Sequence, residues 1–117
     1  MFFEKPSLRT ITTFQVGIAQ LGAFPVQLSP DSIGLGKRES IKDVARCLSR
    51  WVDALVVRCF KQELLVQLAE YGNIPVVNAL TDDYHPCQAF AFAQTIRENI
   101  GEFQGKTVAF IGDGNNV

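Results

Sequence analysis

Short, uninterrupted apolar runs alternate with stretches of helical period along the chain, and this alternation restricts the fold more than any other feature. Ala23–Leu28, Ala54–Val57, Ile74–Asn78 and Thr107–Ile111 have strand length, and Met1-Phe2-Phe3 reads as the tail of another strand. Between them, Ile11, Phe14, Ile18 and Leu21 fall on one helical face, so Ser7–Leu21 is expected as an amphipathic helix closed by Gly22. Ser40 with Asp43 three residues on resembles a capping box, and Ile41, Val44, Ala45 and Leu48 line the helix behind it. Gln62–Tyr71 carries Leu64, Leu65 and Leu68, and Pro86 suits the first turn of a helix with Ala89, Phe92, Ala93 and Ile96. Continuously apolar strands separated by helices predict an α/β fold: an open parallel sheet with helices on both faces. Phe2-Phe3 has nothing in front of it, and the last strand leads into no helix. The chain is therefore expected to be a segment of a longer protein, truncated at both ends.

Composition narrows the function. Eleven Lys+Arg against twelve Asp+Glu give a formal net charge of −1, which removes the basic field that nucleic-acid binders carry. No apolar run approaches the roughly 20 residues that span a bilayer, and the N-terminus lacks the pattern of a secretory signal. A cytoplasmic domain with neither nucleic-acid nor membrane partners is expected. Cys47, Cys59 and Cys87 are odd in number and widely spaced, and the chain has one histidine, so no metal site is expected and the thiols read as small buried or half-buried side chains.

In open α/β sheets ligands collect outside the carboxyl ends of the strands. Glu4–Thr10 lies at such an end, where Ser7 and Thr10 supply hydroxyls and Arg9 a planar cation beside the amides of a helix N-terminus. That combination suits a phosphate, although Ser7 is equally a plain N-cap and Arg9 a solvated charge. The loop from Ser29 to Glu39 is long enough to be functional. Arg58 directly follows a buried strand. His85, just before Pro86, can donate to a carbonyl oxygen, with Gln88 about one turn away. Cys87 has no second histidine to form a thiolate pair, which argues against a nucleophile. Gly112-Asp113-Gly114-Asn115-Asn116 is a partial match to a dinucleotide-binding glycine pattern, and its asparagines suit a zwitterionic partner. Hydroxyls with Arg9, then Arg58, then His85 with Gln88 stand at three strand ends and together describe acyl phosphate chemistry.

These residues also carry a resemblance. Phe3-Glu4-Lys5-Pro6-Ser7-Leu8-Arg9-Thr10 is similar to the S-T-R-T-R segment of the carbamoyltransferases, and His85-Pro86-Cys87-Gln88 to their H-P-x-Q motif. Lys37–Asp43 and Gly112–Asn116 resemble the ornithine branch. The resemblance implies that residues 1–117 are an incomplete carbamoyl phosphate-binding domain, with 112–117 leading toward an absent ornithine-binding domain. It implies that Ser7, the Leu8 amide, Arg9 and Thr10 bind the phosphate of carbamoyl phosphate. Arg58 would bridge phosphate and carbonyl oxygen, His85 and Gln88 would hold the carbamoyl group, and Asn116 would contact ornithine. It further implies citrulline formation in an arginine-biosynthetic or urea-cycle type step, no cofactor and no metal, and a homotrimer in which the 29–39 loop reaches a neighbour. The chain alone is expected not to turn over, since its acceptor site is incomplete.

Three positions depart from the family pattern: Ile11 stands for the second Arg of S-T-R-T-R, Gly34 for a common Gln, and Phe92 for an Asp. The alternatives are a carbamoyltransferase for another amine or an acylated ornithine, a non-catalytic anion-binding α/β module, and a dinucleotide-binding domain.

Overall fold

The structure is a computed structural model and describes residues 1–114. Three parallel strands, β1 (Phe2–Phe3), β2 (Leu55–Arg58) and β3 (Val76–Leu80), form a sheet in that order. The helices are α1 (Leu8–Gln20), α2 (Pro30–Ile33), α3 (Ile41–Leu48), α4 (Gln62–Tyr71) and α5 (Pro86–Ile100).

Alternate residues of the strands feed opposite layers, as a period of two requires. Phe2, Leu55 and Val57 pack with Ala45 of α3 and with Leu65 and Leu68 of α4. Met1, Phe3, Val56 and Ala79 form a second cluster that Ile11, Phe14 and Ile18 of α1 cover. Helices therefore lie on both faces of a parallel sheet, and the expected α/β class holds.

Helix starts follow local chemistry. Ser7 Oγ accepts the Thr10 amide at 3.2 Å, and Ser40 Oγ accepts the Asp43 amide at 3.1 Å while donating to the Asp43 carboxylate at 2.7 Å. Pro86 opens α5. The apolar stripe of α1 stops short of its expected end: Leu21 is the C-cap and is exposed.

Two expected strands do not form among the described residues. Ala23–Leu28 makes only an isolated parallel bridge, Leu28 to Phe2, with the Leu28 amide donating to Met1 O at 2.8 Å. Pro25 has no N–H to give a ladder, and the two-residue β1 offers a short edge to pair with. Thr107–Ile111 is irregular, with Ile111 95% exposed, because a strand-like sequence without a neighbouring ladder gains no hydrogen bonds. The 29–39 loop holds an unexpected turn of helix, α2, and its Ile33 and Leu35 pack on the Phe2 cluster. Gly34 ends that helix at φ 60°, and a Cβ there would stand 3.1 Å from that of Arg38. The departure from Gln at this position is thus matched by backbone geometry. Of the thiols, Cys59 is buried and Cys87 partly so, but Cys47 is exposed, since it faces away from the core on α3.

Candidate active site

The sheet directs the β1–α1, β2–α4 and β3–α5 loops to one edge. β1 pairs with β2 through Phe2↔Val57 and Phe3↔Arg58, which sets the start of α1 beside Arg58. The β2–β3 register slips between Val57, opposite Asn78, and Arg58, opposite Leu80. Such irregularities re-aim a side chain at the end of a ladder.

Arg58 Nη1 donates to Thr10 Oγ1 at 3.2 Å, which joins the strand end to the first turn of α1. Among the described residues its Nε is buried without a partner, and so is Nδ1 of His85. The α1 amides of Leu8 and Arg9 precede the first possible intrahelical acceptor, so they too remain available. Burial holds the His85 imidazole below its ordinary pKa, and the positive charge of Arg58 pushes it the same way. A neutral imidazole beside a guanidinium can donate one N–H to a carbonyl oxygen without adding to local repulsion.

His85 is also the N-cap residue of α5, with no side-chain capping bond. Thr81, 1% exposed, braces its approach: Thr81 Oγ1 donates to Gln62 Oε1 at 2.8 Å and accepts the Tyr84 amide at 3.1 Å. His85, Gln88, Ala89, Phe92, Tyr84 and Asn78 border an open cleft of about 770 Å³ with a largely apolar wall. Phe92, which stands for an Asp in the motif pattern above, forms part of that wall.

The structure brings together Ser7, Thr10, Arg58 and His85. Gln88 is exposed on the His85 side of the cleft, and Arg9 is exposed and forms no ion pair among the described residues. Leu8 is 85% exposed and brings no polar side chain to the site. Asn116 lies outside the described residues. Ile11 spends its position on the α1 stripe, where an Arg would face the Phe3 cluster. Burial raises the Cys87 thiol, and Cys87 Sγ donates to Asn78 O at 3.3 Å, which fits an inert thiol.

Several contributors were given no role by the sequence. Glu4 Oε2 accepts the Phe60 amide at 3.1 Å, and Lys5 pairs with Asp82. Asn78 Nδ2 donates to Gln62 Oε1 at 3.4 Å and leaves its own Oδ1 buried and unpartnered. Glu4 and Lys5 sit inside the quoted motif, which was the available signal. Asp82 and Asn78 had none beyond standing at a strand end. Among the described residues no group of three His, Cys, Asp or Glu side chains could hold a metal ion, and no helix is long and apolar enough to cross a membrane.

The family described as aspartate/ornithine carbamoyltransferase, carbamoyl-P binding domain, matches residues 1–98. The chain belongs to the aspartate/ornithine carbamoyltransferase family. An ornithine carbamoyltransferase of Nitrosococcus oceani is 53% identical over 117 residues, covering all of this chain and 38% of that protein. The ornithine carbamoyltransferase structure from Pyrococcus furiosus superposes with a TM-score of 0.95 at 44% identity, over all of this chain and 37% of the other. A variant of N-acetyl-L-ornithine transcarbamylase complexed with carbamyl phosphate and N-succinyl-L-norvaline gives a TM-score of 0.82 at 33% identity, over 90% of this chain and 39% of the other. This member of the carbamoyltransferase family thus spans less than half the length of the relatives it matches.

Proposed function

We propose that residues 1–117 form most of the carbamoyl phosphate-binding domain of an ornithine carbamoyltransferase, acting in the cytoplasm in arginine biosynthesis or an equivalent step. The observation that carries the reading is the pair of buried, unpartnered nitrogens, Arg58 Nε and His85 Nδ1, beside the open N-terminus of α1. Buried polar atoms are rarely left unpaired unless a ligand or water meets them.

In this reading Ser7, the Leu8 amide, Arg9 and Thr10 hold the phosphate. Arg58 spans phosphate and carbonyl oxygen, and His85 with Gln88 orients the carbamoyl group. The neutral δ-amine of ornithine attacks the carbonyl carbon. A tetrahedral intermediate collapses, the C–O bond to phosphate breaks, and the amine proton is lost as citrulline forms. Donors aimed at the developing oxyanion, together with orientation of the two reactants, supply the catalysis. No cofactor or metal has a part in these steps. Asn116 is assigned to ornithine, with the remainder of the acceptor site in a second domain. A homotrimer is proposed, with the exposed tip of the 29–39 loop, residues 36–39, reaching a neighbour.

The likeness to N-acetyl-L-ornithine transcarbamylase supports an acylated acceptor as the second reading, at lower identity than the ornithine enzymes show. Calorimetry with carbamoyl phosphate, inorganic phosphate and NAD tests the first step. Carbamoyl phosphate should bind and NAD should not. Binding of NAD alone would replace this reading with a dinucleotide site. Mixing the chain with carbamoyl phosphate and ornithine should give no citrulline above a protein-free control.

A further inference from the structure

We infer that Lys5 and Asp82, closed around Phe60, are positioning residues that hold the three site loops in one register. The inference rests on the anion-binding reading above for its consequence, and on the loop contacts for its geometry.

The sheet ladder fixes the loops only as far as Arg58 and Leu80. Beyond it a chain of cross-links continues. The Glu4 amide donates to Arg58 O at 2.8 Å, the Phe60 amide to Glu4 Oε2 at 3.1 Å, and the Asp82 amide to Phe60 O at 2.9 Å. Each loop is thereby tied to the next. Lys5 closes the first loop directly onto the third: its ammonium pairs with the Asp82 carboxylate and stands 4.9 Å from the centroid of the Phe60 ring. The Lys5 side chain is 16% exposed, so its charge is largely committed to these contacts and not to solvent, while Asp82 is 60% exposed.

Position along the chain gives the clasp its reach. Lys5 precedes Ser7 in one loop, and Asp82 precedes His85 in another. Releasing the clasp frees the α1 N-terminus and His85 to move relative to Arg58. An exposed partner makes the pair a modest source of stability. Its effect should fall on ligand geometry, where displacement of a donor by an ångström is costly.

The test uses Lys5→Met, Lys5→Arg, Asp82→Asn and the reversed pair Lys5→Asp/Asp82→Lys. Three readouts are compared: calorimetric affinity for carbamoyl phosphate and inorganic phosphate, thermal midpoint, and hydrogen exchange at the Phe60 and Asp82 amides. Lys5→Met and Asp82→Asn should each weaken carbamoyl phosphate by about tenfold, the size expected when orientation is loosened but no ligand is deleted. The midpoint should stay nearly constant, exchange at both amides should quicken, and Lys5→Arg should retain most of the affinity. The reversed pair should recover part of what either single change loses. Unchanged affinity and exchange in Lys5→Met would overturn the inference. So would a parallel fall of affinity and midpoint in Lys5→Met and Lys5→Arg alike, which marks a purely structural lysine. If the unaltered chain binds neither anion, the functional reading falls, and the exchange rates alone then decide whether the clasp holds the loops.

Discussion

The helices that carry the core and the helices that carry the candidate site are different helices. α3 buries Ala45, and α4 buries Leu65 and Leu68, against Phe2, Leu55 and Val57. α1 buries no residue fully and α5 only Ile96, although their first turns supply Ser7, Thr10, His85 and Gln88. Phe90 of α5 is 76% exposed. Folding energy is thus concentrated on one side of β2, while the groups proposed to meet the ligand sit on helices with little packing to hold them. The site is kept in place by its loops, through capping, the Arg58–Thr10 bond and the Thr81 turn.

Large-to-small changes on the two layers separate these roles most strongly. Leu68, 2% exposed in the tight layer, should lose about 2–5 kcal/mol on replacement by Ala. Phe14→Ala on α1, where the ring is only partly buried, should cost clearly less despite removing more atoms. Urea unfolding of both variants measures the contrast. Equal losses would mean that α1 is as firmly packed as α4.

A second handle on the tight layer is Cys59, which has no exposed surface and belongs to the Phe2 cluster. Burial pushes its thiol up to about 11 from an ordinary 9, and the Glu4 carboxylate adds to the shift. A raised acid pKa means that the unfolded chain loses its proton first. The stabilisation is complete below pH 9 and disappears as pH climbs from 9 toward 11. Denaturant midpoints at pH 8 and pH 10.5 should differ accordingly, and Cys59→Ala should flatten that difference.

The same division explains what could be seen in the sequence. Ser7 and Ser40 announce helix starts through bonds made within three residues, and Pro86 through its fixed φ and missing N–H, so α1, α3 and α5 were legible. Leu64, Leu65 and Leu68 marked α4 by period, and its bounds match the expected Gln62–Tyr71. Arg58 stood out from position alone, because a strand of buried residues that ends in a cation calls for a partner, and its Nη1 meets Thr10 Oγ1. Ala23–Leu28 and Thr107–Ile111 failed for the opposite reason: a strand exists only where a neighbour pairs with it, and no local residue reports that neighbour. The Lys5–Asp82 pair crosses 77 residues of chain, and neither side chain carries a sign of the other.

On the site side, Arg9 offers the cleanest dissection, since its exposed guanidinium makes no ion pair among the described residues. Arg9→Ala should leave stability within about 0.5 kcal/mol of the parent. In the proposed phosphate site it should lose a charge-assisted contact of roughly 1.5–3 kcal/mol, or about ten- to a hundredfold in carbamoyl phosphate affinity. Equal affinity with and without Arg9 in a folded sample would remove it from the site.

The smallest effect expected lies in the loop between the two layers. Gly34 ends α2 in a left-handed conformation at φ 60°, and the added Cβ of any other residue would meet that of Arg38 at 3.1 Å. Family resemblance favours Gln here, and on sequence alone Gly34→Gln would be expected to restore activity. The backbone argues otherwise. An L-residue held left-handed costs about 1–2 kcal/mol, and the close Cβ contact adds to it unless Arg38 gives way. Gly34→Gln should therefore lower stability by about 1–2 kcal/mol. Gly34→Asn should lose less, because asparagine tolerates this conformation. If Gln proves neutral while Asn is costly, the loop has refolded around the new side chain. Ile33 and Leu35, which pack on the Phe2 cluster, would then tie α2 to the core less firmly than their contacts indicate.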